Sequence, residues 1–155
     1  MVIKLIFLLL LCHIPMKAEN NVWKFVKADV YKVSYNVFIE QWLKERTSEI
    51  KVLNVSINEE TGRAKLLFEN ASNSIVMFGL MDLSYYRIYS NHRKEELVND
   101  ENVISVGYVI EPGKNAVFPF SLSVMDSDGL LLVNIRLIGD NVKYDVKVYL
   151  RRINI

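Results

Sequence analysis

The sequence has a single cysteine, Cys12, and it lies in the N-terminal segment of residues 1–18. If that segment is removed as a signal peptide, the remaining chain has neither a disulfide nor a thiolate. Its stability must then come from a packed core. A chain of about 137 residues can bury roughly two thirds of the surface of its unfolded state, which is enough to fold without covalent cross-links.

Histidine is almost as scarce, because His92 is the one histidine that follows residues 1–18. A zinc site needs several nitrogen or sulfur ligands, so a single imidazole without cysteine excludes the usual kinds. A serine nucleophile needs a positioned base, and the sequence has neither a G-x-S-x-G motif nor a Ser-His-Asp arrangement. The sequence therefore predicts a protein that is not an enzyme and has no cofactor.

An excess of charge of one sign is lacking as well. The 155 residues include 19 Lys and Arg and 18 Asp and Glu, a formal net charge of +1, and without Lys4 and Lys17 of the N-terminal segment it becomes −1. Such a balance lacks the basic footprint of nucleic-acid binders. We therefore expect a protein partner, either a second copy or another surface protein, and no nucleic acid.

Residues 1–18, MVIKLIFLLLLCHIPMKA, have the layout of a secretory signal peptide. Lys4 precedes a short apolar run that ends before Pro15, and cleavage is expected after the small Ala18. Two alternatives stay open: an uncleaved helical anchor, because Met16 is a poor fit to a cleavage site, and a lipid-modified Cys12. We expect a secreted or extracytoplasmic protein, attached to a membrane only through residues 1–18 if these are retained.

The rest of the chain is organised around residues 103–124, in which two alternating segments flank Pro112-Gly113. Proline and glycine favour the two central positions of a tight turn, so we predict a hairpin here. Alternation also recurs over residues 31–39, 50–57, 64–69, 75–89, 131–138 and 142–150. Short strands joined by turns predict an all-β fold, an antiparallel immunoglobulin-like sandwich of about seven to nine strands after an N-terminal signal helix.

Residues 19–49 are interpreted as an N-terminal segment that precedes a sandwich domain of residues 50–155. Residues 22–39 fit a helix as well as a strand, although their many β-branched and aromatic residues favour the strand. Residues 40–48 are predicted to form a helical turn or a polar connection. Within the sandwich we predict a bulge near Val52-Leu53 and, because proline cannot donate to a ladder, an edge or bulged position for Pro119.

The order of these strands resembles that of the LEA14-type domains of the water-stress and hypersensitive-response family. The resemblance rests on residues 64–70 (AKLLFEN), 83–89, 110–113 (IEPG) and 118–124, and it extends over residues 50–148. It implies an immunoglobulin- or fibronectin-III-like sandwich without catalytic residues. The chain departs from the family at Asn70-Ala71, where the family has Asn-Pro.

Few residues stand out as candidate sites. Tyr86, Arg87 and His92 could belong to a ligand surface, because aromatic and basic side chains recur around them. Asn54 and Asn70 satisfy the N-glycosylation pattern, and Asn70, in a polar loop, is the better candidate. The segment of residues 126–129, DSDG, is interpreted as a plain turn rather than a calcium loop, since it lacks the distal glutamate of an EF-hand.

These observations predict a non-enzymatic, extracytoplasmic β-sandwich that serves as an interaction or structural module at the cell surface. An alternative is a subunit of a surface fibre or pilus, in which residues 23–39 add as a strand to the open sheet of a neighbour. A third is a carbohydrate- or ligand-binding sandwich.

Overall fold

The computed structural model describes residues 21–97, 109–122 and 129–154, and every regular element within these ranges is a β-strand. The strands are β1 (Asn21–Asn36), β2 (Gln41–Arg46), β3 (Ile50–Asn58), β4 (Arg63–Asn70), β5 (Val76–Ile88), β6 (Lys94–Leu97), β7 (Val109–Ile110), β8 (Asn115–Ser121), β9 (Gly129–Ile138) and β10 (Val142–Asn154). The all-β prediction is confirmed for these ranges. The predicted signal helix and cleavage site lie outside them.

The strands form two sheets in which all pairs are antiparallel. The large sheet has seven strands, in the order β2-β1-β10-β9-β5-β6, with β7 paired to the first part of β5. The small sheet has three, in the order β3-β4-β8. Because β8 is an edge strand, the predicted edge position of Pro119 is confirmed.

One hydrophobic core joins the two sheets. The small sheet supplies residues such as Leu66, Phe68 and Phe120, and the large sheet supplies Val133 and Val148 among others, all of which are almost fully buried. Alternate residues of each strand point to opposite faces, so the large sheet has an inward side on this core and an outward side away from it.

The N-terminal segment belongs to the large sheet. Residues 21–36 form a strand rather than a helix, and β1 pairs with β10 along almost its whole length. The prediction of a helical turn or polar connection over residues 40–48 is wrong, because Gln41–Arg46 is strand β2 and pairs with β1. Its polar residues mark an edge strand, which solvent reaches on one side.

The Pro112-Gly113 turn does not close a hairpin. The strand before it, β7, pairs with β5 of the large sheet, whereas the strand after it, β8, pairs with β4 of the small sheet. Gly113 has the positive φ, 75°, that the turn requires. The predicted strand over residues 104–108 and the end of the second strand at 123–124 lie outside the described ranges. The predicted hairpin is wrong because alternation indicates a strand but not which strand it pairs with.

Two polar residues form hydrogen bonds where the two sheets meet. Asn70, at the end of β4, exchanges backbone hydrogen bonds with the turn: its N–H donates to the Lys114 carbonyl (3.0 Å), and the Gly113 N–H donates to its carbonyl (2.7 Å). Glu49, just before β3, accepts hydrogen bonds from the Tyr144 hydroxyl of β10 (2.7 Å) and from the Lys32 ammonium of β1 (3.0 Å). The Glu49 contacts join the start of the small sheet to the large sheet, and the Asn70 contacts join the end of β4 to the turn that leads from β7 to β8.

The predicted bulge in β3 is confirmed. The register between β3 and β4 shifts between Val52 and Asn54, and the intervening Leu53 is exposed. The shift explains why the apolar positions of β3 change phase at this point in the sequence.

Candidate functional site

The outward side of the large sheet carries the most distinctive arrangement of side chains in the described chain. On β10, Tyr144, Val146, Val148 and Leu150 are buried in the core. The alternate residues therefore lie on the outward side, and directly paired residues of the neighbouring strands lie there with them. We call this surface the outward face.

Basic side chains dominate the outward face. The register between the strands places these cations on it: Lys24, Lys27, Lys44, Arg46, Lys94, Arg136, Lys143, Lys147 and Arg151. The carboxylates placed there by the same register are Asp29, Asp145 and Glu96. A chain of almost balanced charge thus has one strongly positive surface.

Aromatic rings lie between these cations. The ring centroid of Tyr31 is 4.8 Å from the Lys44 Nζ, 5.5 Å from the Arg46 guanidinium carbon and 5.6 Å from the Lys147 Nζ. On the next strand, the Tyr149 ring lies 4.8 Å from the Lys27 Nζ. These distances allow cation–π attraction, which keeps the long basic side chains close to the sheet.

Two largely buried carboxylates position the cations without neutralising them all. Asp29, whose side chain is 10% exposed, lies 3.1 Å from the Lys27 Nζ and 3.3 Å from Arg46 Nη1. Asp145, 13% exposed, lies 3.2 Å from Arg136 Nε and 3.7 Å from the Lys44 Nζ. Each carboxylate contacts two cations, so the outward face keeps an excess of positive charge that can attract an external anion.

The crowding of positive charge affects Lys147, in the middle of the face. Burial lowers the pKa of Lys147 below its usual value, and the nearby charges of Lys44 and Lys94 lower it further. An anion bound beside Lys147 would oppose the repulsion from Lys44 and Lys94 and favour the charged ammonium. The centre of the face is therefore electrostatically suited to binding negative charge.

One end of the face carries exposed aromatic rings. Tyr35 of β1 and Trp42 of β2 are paired in register, and their ring centroids are 5.4 Å apart. The Lys143 Nζ lies 5.6 Å from the Trp42 ring centroid. A shallow depression of about 140 Å³ lies here, lined by Val33, Trp42, Arg136, Lys143 and Asp145.

The structure does not bring Tyr86, Arg87 and His92 together. Tyr86 lies on the outward face, paired with Leu132 and Glu96. Arg87 points to the opposite side of β5, where its Nη1 lies 4.0 Å from a Glu95 carboxylate oxygen. His92 occupies the turn after β5 with a positive φ of 64°. A single surface of these three residues is therefore excluded in this conformation, because adjacent strand residues point to opposite faces.

The sequence did contain a signal for the outward face. Lys143, Asp145, Lys147, Tyr149 and Arg151 alternate with the apolar residues of β10. Residues 27–33 of β1 show the same alternation of charged and aromatic residues. Only the pairing of β1 with β10 reveals that these two rows are neighbours.

The preference for Asn70 as a glycosylation site is corrected by its burial. Its side chain is 0% exposed, and its Nδ2 donates hydrogen bonds to the carbonyls of Ser74 (2.8 Å) and Ile110 (2.9 Å). A glycan on this nitrogen is incompatible with those contacts. Asn54, in contrast, is exposed on β3.

We expect the chain, when secreted from a eukaryotic host, to carry a glycan on Asn54 and none on Asn70. Peptide mapping of the folded, secreted protein by mass spectrometry measures both sites. A glycan on Asn70 in folded protein would contradict the burial described here.

Two other features are absent from the described ranges. In these ranges no three His, Cys, Asp or Glu side chains cluster so that they could hold a metal ion. Nor does any helix there have the length and apolar character to cross a membrane. The aspartates of the DSDG segment lie outside the described residues.

Comparison with known proteins leaves the family open. No family model matches the chain, and no curated protein matches it. Among solved structures, the chain is similar to envelope protein VP37 from White Spot Syndrome Virus, with 11% identity and a TM-score of 0.28, over 85% of this chain and 98% of that chain. A similarity this weak supports no argument about fold or function.

Proposed function

We propose that this protein is a non-enzymatic, extracytoplasmic β-sandwich module that binds an anionic polysaccharide through the outward face of its large sheet. The observation that carries the proposal is the collection of cations and aromatic rings on one side of a sheet in a chain of almost neutral charge. The extracytoplasmic location rests on the signal-like residues 1–18.

The chemistry of the face fits an acidic sugar polymer. Lysine and arginine side chains form charge-assisted hydrogen bonds with sulfate and carboxylate groups. Tyrosine and tryptophan rings offer flat apolar surfaces to the apolar faces of sugar rings. The face is broad and its depression shallow, which suits a linear chain lying across the strands better than a small enclosed ligand. Single-stranded nucleic acid shares the anionic character, but an extracytoplasmic module meets acidic glycans more readily.

The immunoglobulin-like description of the fold belongs to the same proposal. Two antiparallel sheets that share one core, with β8 and β3 at the edges of the small sheet, support it. Membership of the LEA14-type family stays a prediction. The fibre alternative gains no specific support, because β1 already lies between β10 and β2 of its own chain.

Removing three exposed cations tests the proposal. We choose the variant Lys44→Gln/Arg46→Gln/Lys143→Gln. Asp145 retains its ion pair with Arg136, and Asp29 retains its ion pair with Lys27, so the fold should be retained. With about 0.5–1 kcal/mol for each lost contact, we expect the affinity for heparin, a sulfated polysaccharide, to fall by roughly tenfold or more. Titration at fixed salt concentration, followed by Trp fluorescence, measures the change.

A matched control removes three cations from the outward side of the small sheet: Lys51→Gln/Arg63→Gln/Lys65→Gln. It changes the net charge equally and should bind heparin like the unchanged protein. Equal losses in the two variants would mean that net charge, and not the outward face, governs binding. Absence of heparin binding, or tighter binding of a single-stranded oligonucleotide than of heparin, would overturn the glycan assignment.

A further inference from the structure

The turn between β1 and β2 presents three consecutive apolar side chains to solvent. Val37, Phe38 and Ile39 are all exposed, and Phe38 is 96% and Val37 74% exposed. Apolar side chains scattered singly on a surface are ordinary, but a contiguous group at the end of a hairpin marks an interaction site. From this group and its surroundings we infer that the β1–β2 hairpin inserts its tip into the interface of an anionic lipid bilayer.

The tip is an ordered turn. The Asn36 Oδ1 accepts hydrogen bonds from the backbone N–H of Phe38 (2.9 Å) and of Ile39 (3.3 Å), and Glu40 completes the turn with a positive φ of 51°. Unpaired backbone groups are costly in an apolar medium. Because two amides of the tip are already paired within the hairpin, that cost is reduced before the tip leaves water.

Behind the apolar tip lies a pair of amphipathic rings. Tyr35 and Trp42 face each other across the hairpin and are about half exposed. Tyrosine and tryptophan concentrate at the level of the lipid headgroups, because the ring is apolar and its polar group stays hydrated. At about 3.3 Å per strand residue, Tyr35 lies within roughly 10 Å of Phe38 along the strand, which matches the depth of interfacial insertion of about 5–10 Å.

Cations form the next level of the hairpin. Lys143 lies against the Trp42 ring, and Lys44 follows two residues after Trp42 on the same face of β2. The order from tip to base is therefore apolar, aromatic and basic. This is the order of acyl chains, interface and anionic headgroups in a bilayer, and the charge of the basic level selects anionic lipid. Glu40, next to the tip, opposes that selection.

The inference rests on the hairpin and does not depend on glycan binding. Sedimentation of the secreted protein, with the removal of residues 1–18 verified by mass spectrometry, with vesicles of phosphatidylcholine and phosphatidylserine tests it, and pure phosphatidylcholine vesicles are the comparison. We expect binding to the mixed vesicles, a loss of at least tenfold in the variant Val37→Ser/Phe38→Ser/Ile39→Ser, and weaker binding to the uncharged vesicles. Glu40→Gln should strengthen binding to the mixed vesicles.

The control variant Val109→Ser/Val117→Ser removes exposed apolar side chains elsewhere in the described chain and should bind like the unchanged protein. In a Trp23→Phe background, Trp42 reports its own environment, and its emission should shift to shorter wavelength on mixed vesicles. Unchanged binding of the tip variant would overturn the inference and assign vesicle binding to the outward face alone. Absence of vesicle binding would also overturn it. So would light scattering that shows a dimer for the unchanged protein and a monomer for the tip variant, because the tip would then bind a second copy of the chain.

Discussion

Asn70→Ala is expected to lower the free energy of unfolding by about 3 kcal/mol or more, because it leaves several buried polar groups without a partner. The Asn70 Nδ2 donates to the Ser74 and Ile110 carbonyls, and its Oδ1 accepts from the Ser72 N–H (3.1 Å) and the Ser72 hydroxyl (2.6 Å). At about 2–4 °C for each kcal/mol in a domain of this size, the melting temperature should fall by roughly 10 °C. Urea unfolding and thermal melts measure both quantities.

Ser72→Ala is the matched control for this prediction. It removes the hydroxyl that bonds to the Asn70 Oδ1 but leaves both donations from Nδ2 in place. We expect a cost of about 1 kcal/mol. If Asn70→Ala cost no more than Ser72→Ala, Asn70 would not be the group that joins β4, the Pro-Gly turn and β7.

Between about pH 10 and pH 12 the protein should lose stability through ionisation of Tyr144. Burial raises the pKa of Tyr144 to about 12, and the hydrogen bond to Glu49 adds to the increase. A raised folded-state pKa stabilises the fold fully below the unfolded-state value of 10 and progressively less as the pH rises towards 12. Two pKa units correspond to roughly 3 kcal/mol. Urea unfolding over this pH range measures the loss.

Tyr144→Phe should remove that loss and lower the stability at neutral pH, because Glu49 then lacks its hydroxyl donor. The acid side provides a second check. The Tyr144 hydrogen bond, followed by contacts with Lys32, lowers the pKa of Glu49 below 4.5, so its contribution is present above pH 4.5 and is lost as the pH falls through the folded-state value. An alkaline loss of equal size in Tyr144→Phe would show that other groups cause it.

Pro112-Gly113 and Pro119 show what local backbone chemistry can and cannot predict about strand pairing. Pro119 lacks an N–H, and this local fact placed it correctly on an edge strand. Pro112-Gly113 was correctly identified as a turn, yet it joins strands of different sheets, since the energy of the turn does not depend on which strands its ends pair with. Likewise, the alternation of β1 and β10 was visible in the sequence, whereas their pairing is a long-range event.

For the candidate sites, too, local sequence patterns identify residues but not the surroundings that folding gives them. Asn54 and Asn70 satisfy the same local pattern, but only the packing of β4 against the turn buries one and leaves the other exposed. Tyr86 and Arg87 were placed on one surface because they are neighbours in the chain, and the strand separates them. The net charge of the whole chain does not reveal the outward face, because it does not depend on where the charged residues lie.

Local sequence patterns predict most of the strands, though not β2, and most of the turns and the apolar side of each strand, since these depend on backbone chemistry and on a period of two residues. Which strands are neighbours depends on the assembled sheets, and so do the position of Asn70 between the sheets, the basic outward face and the exposed tip of the β1–β2 hairpin. Pairing and packing minimise the free energy of the whole chain, so residues far apart in sequence acquire a shared surface only when the sheets assemble.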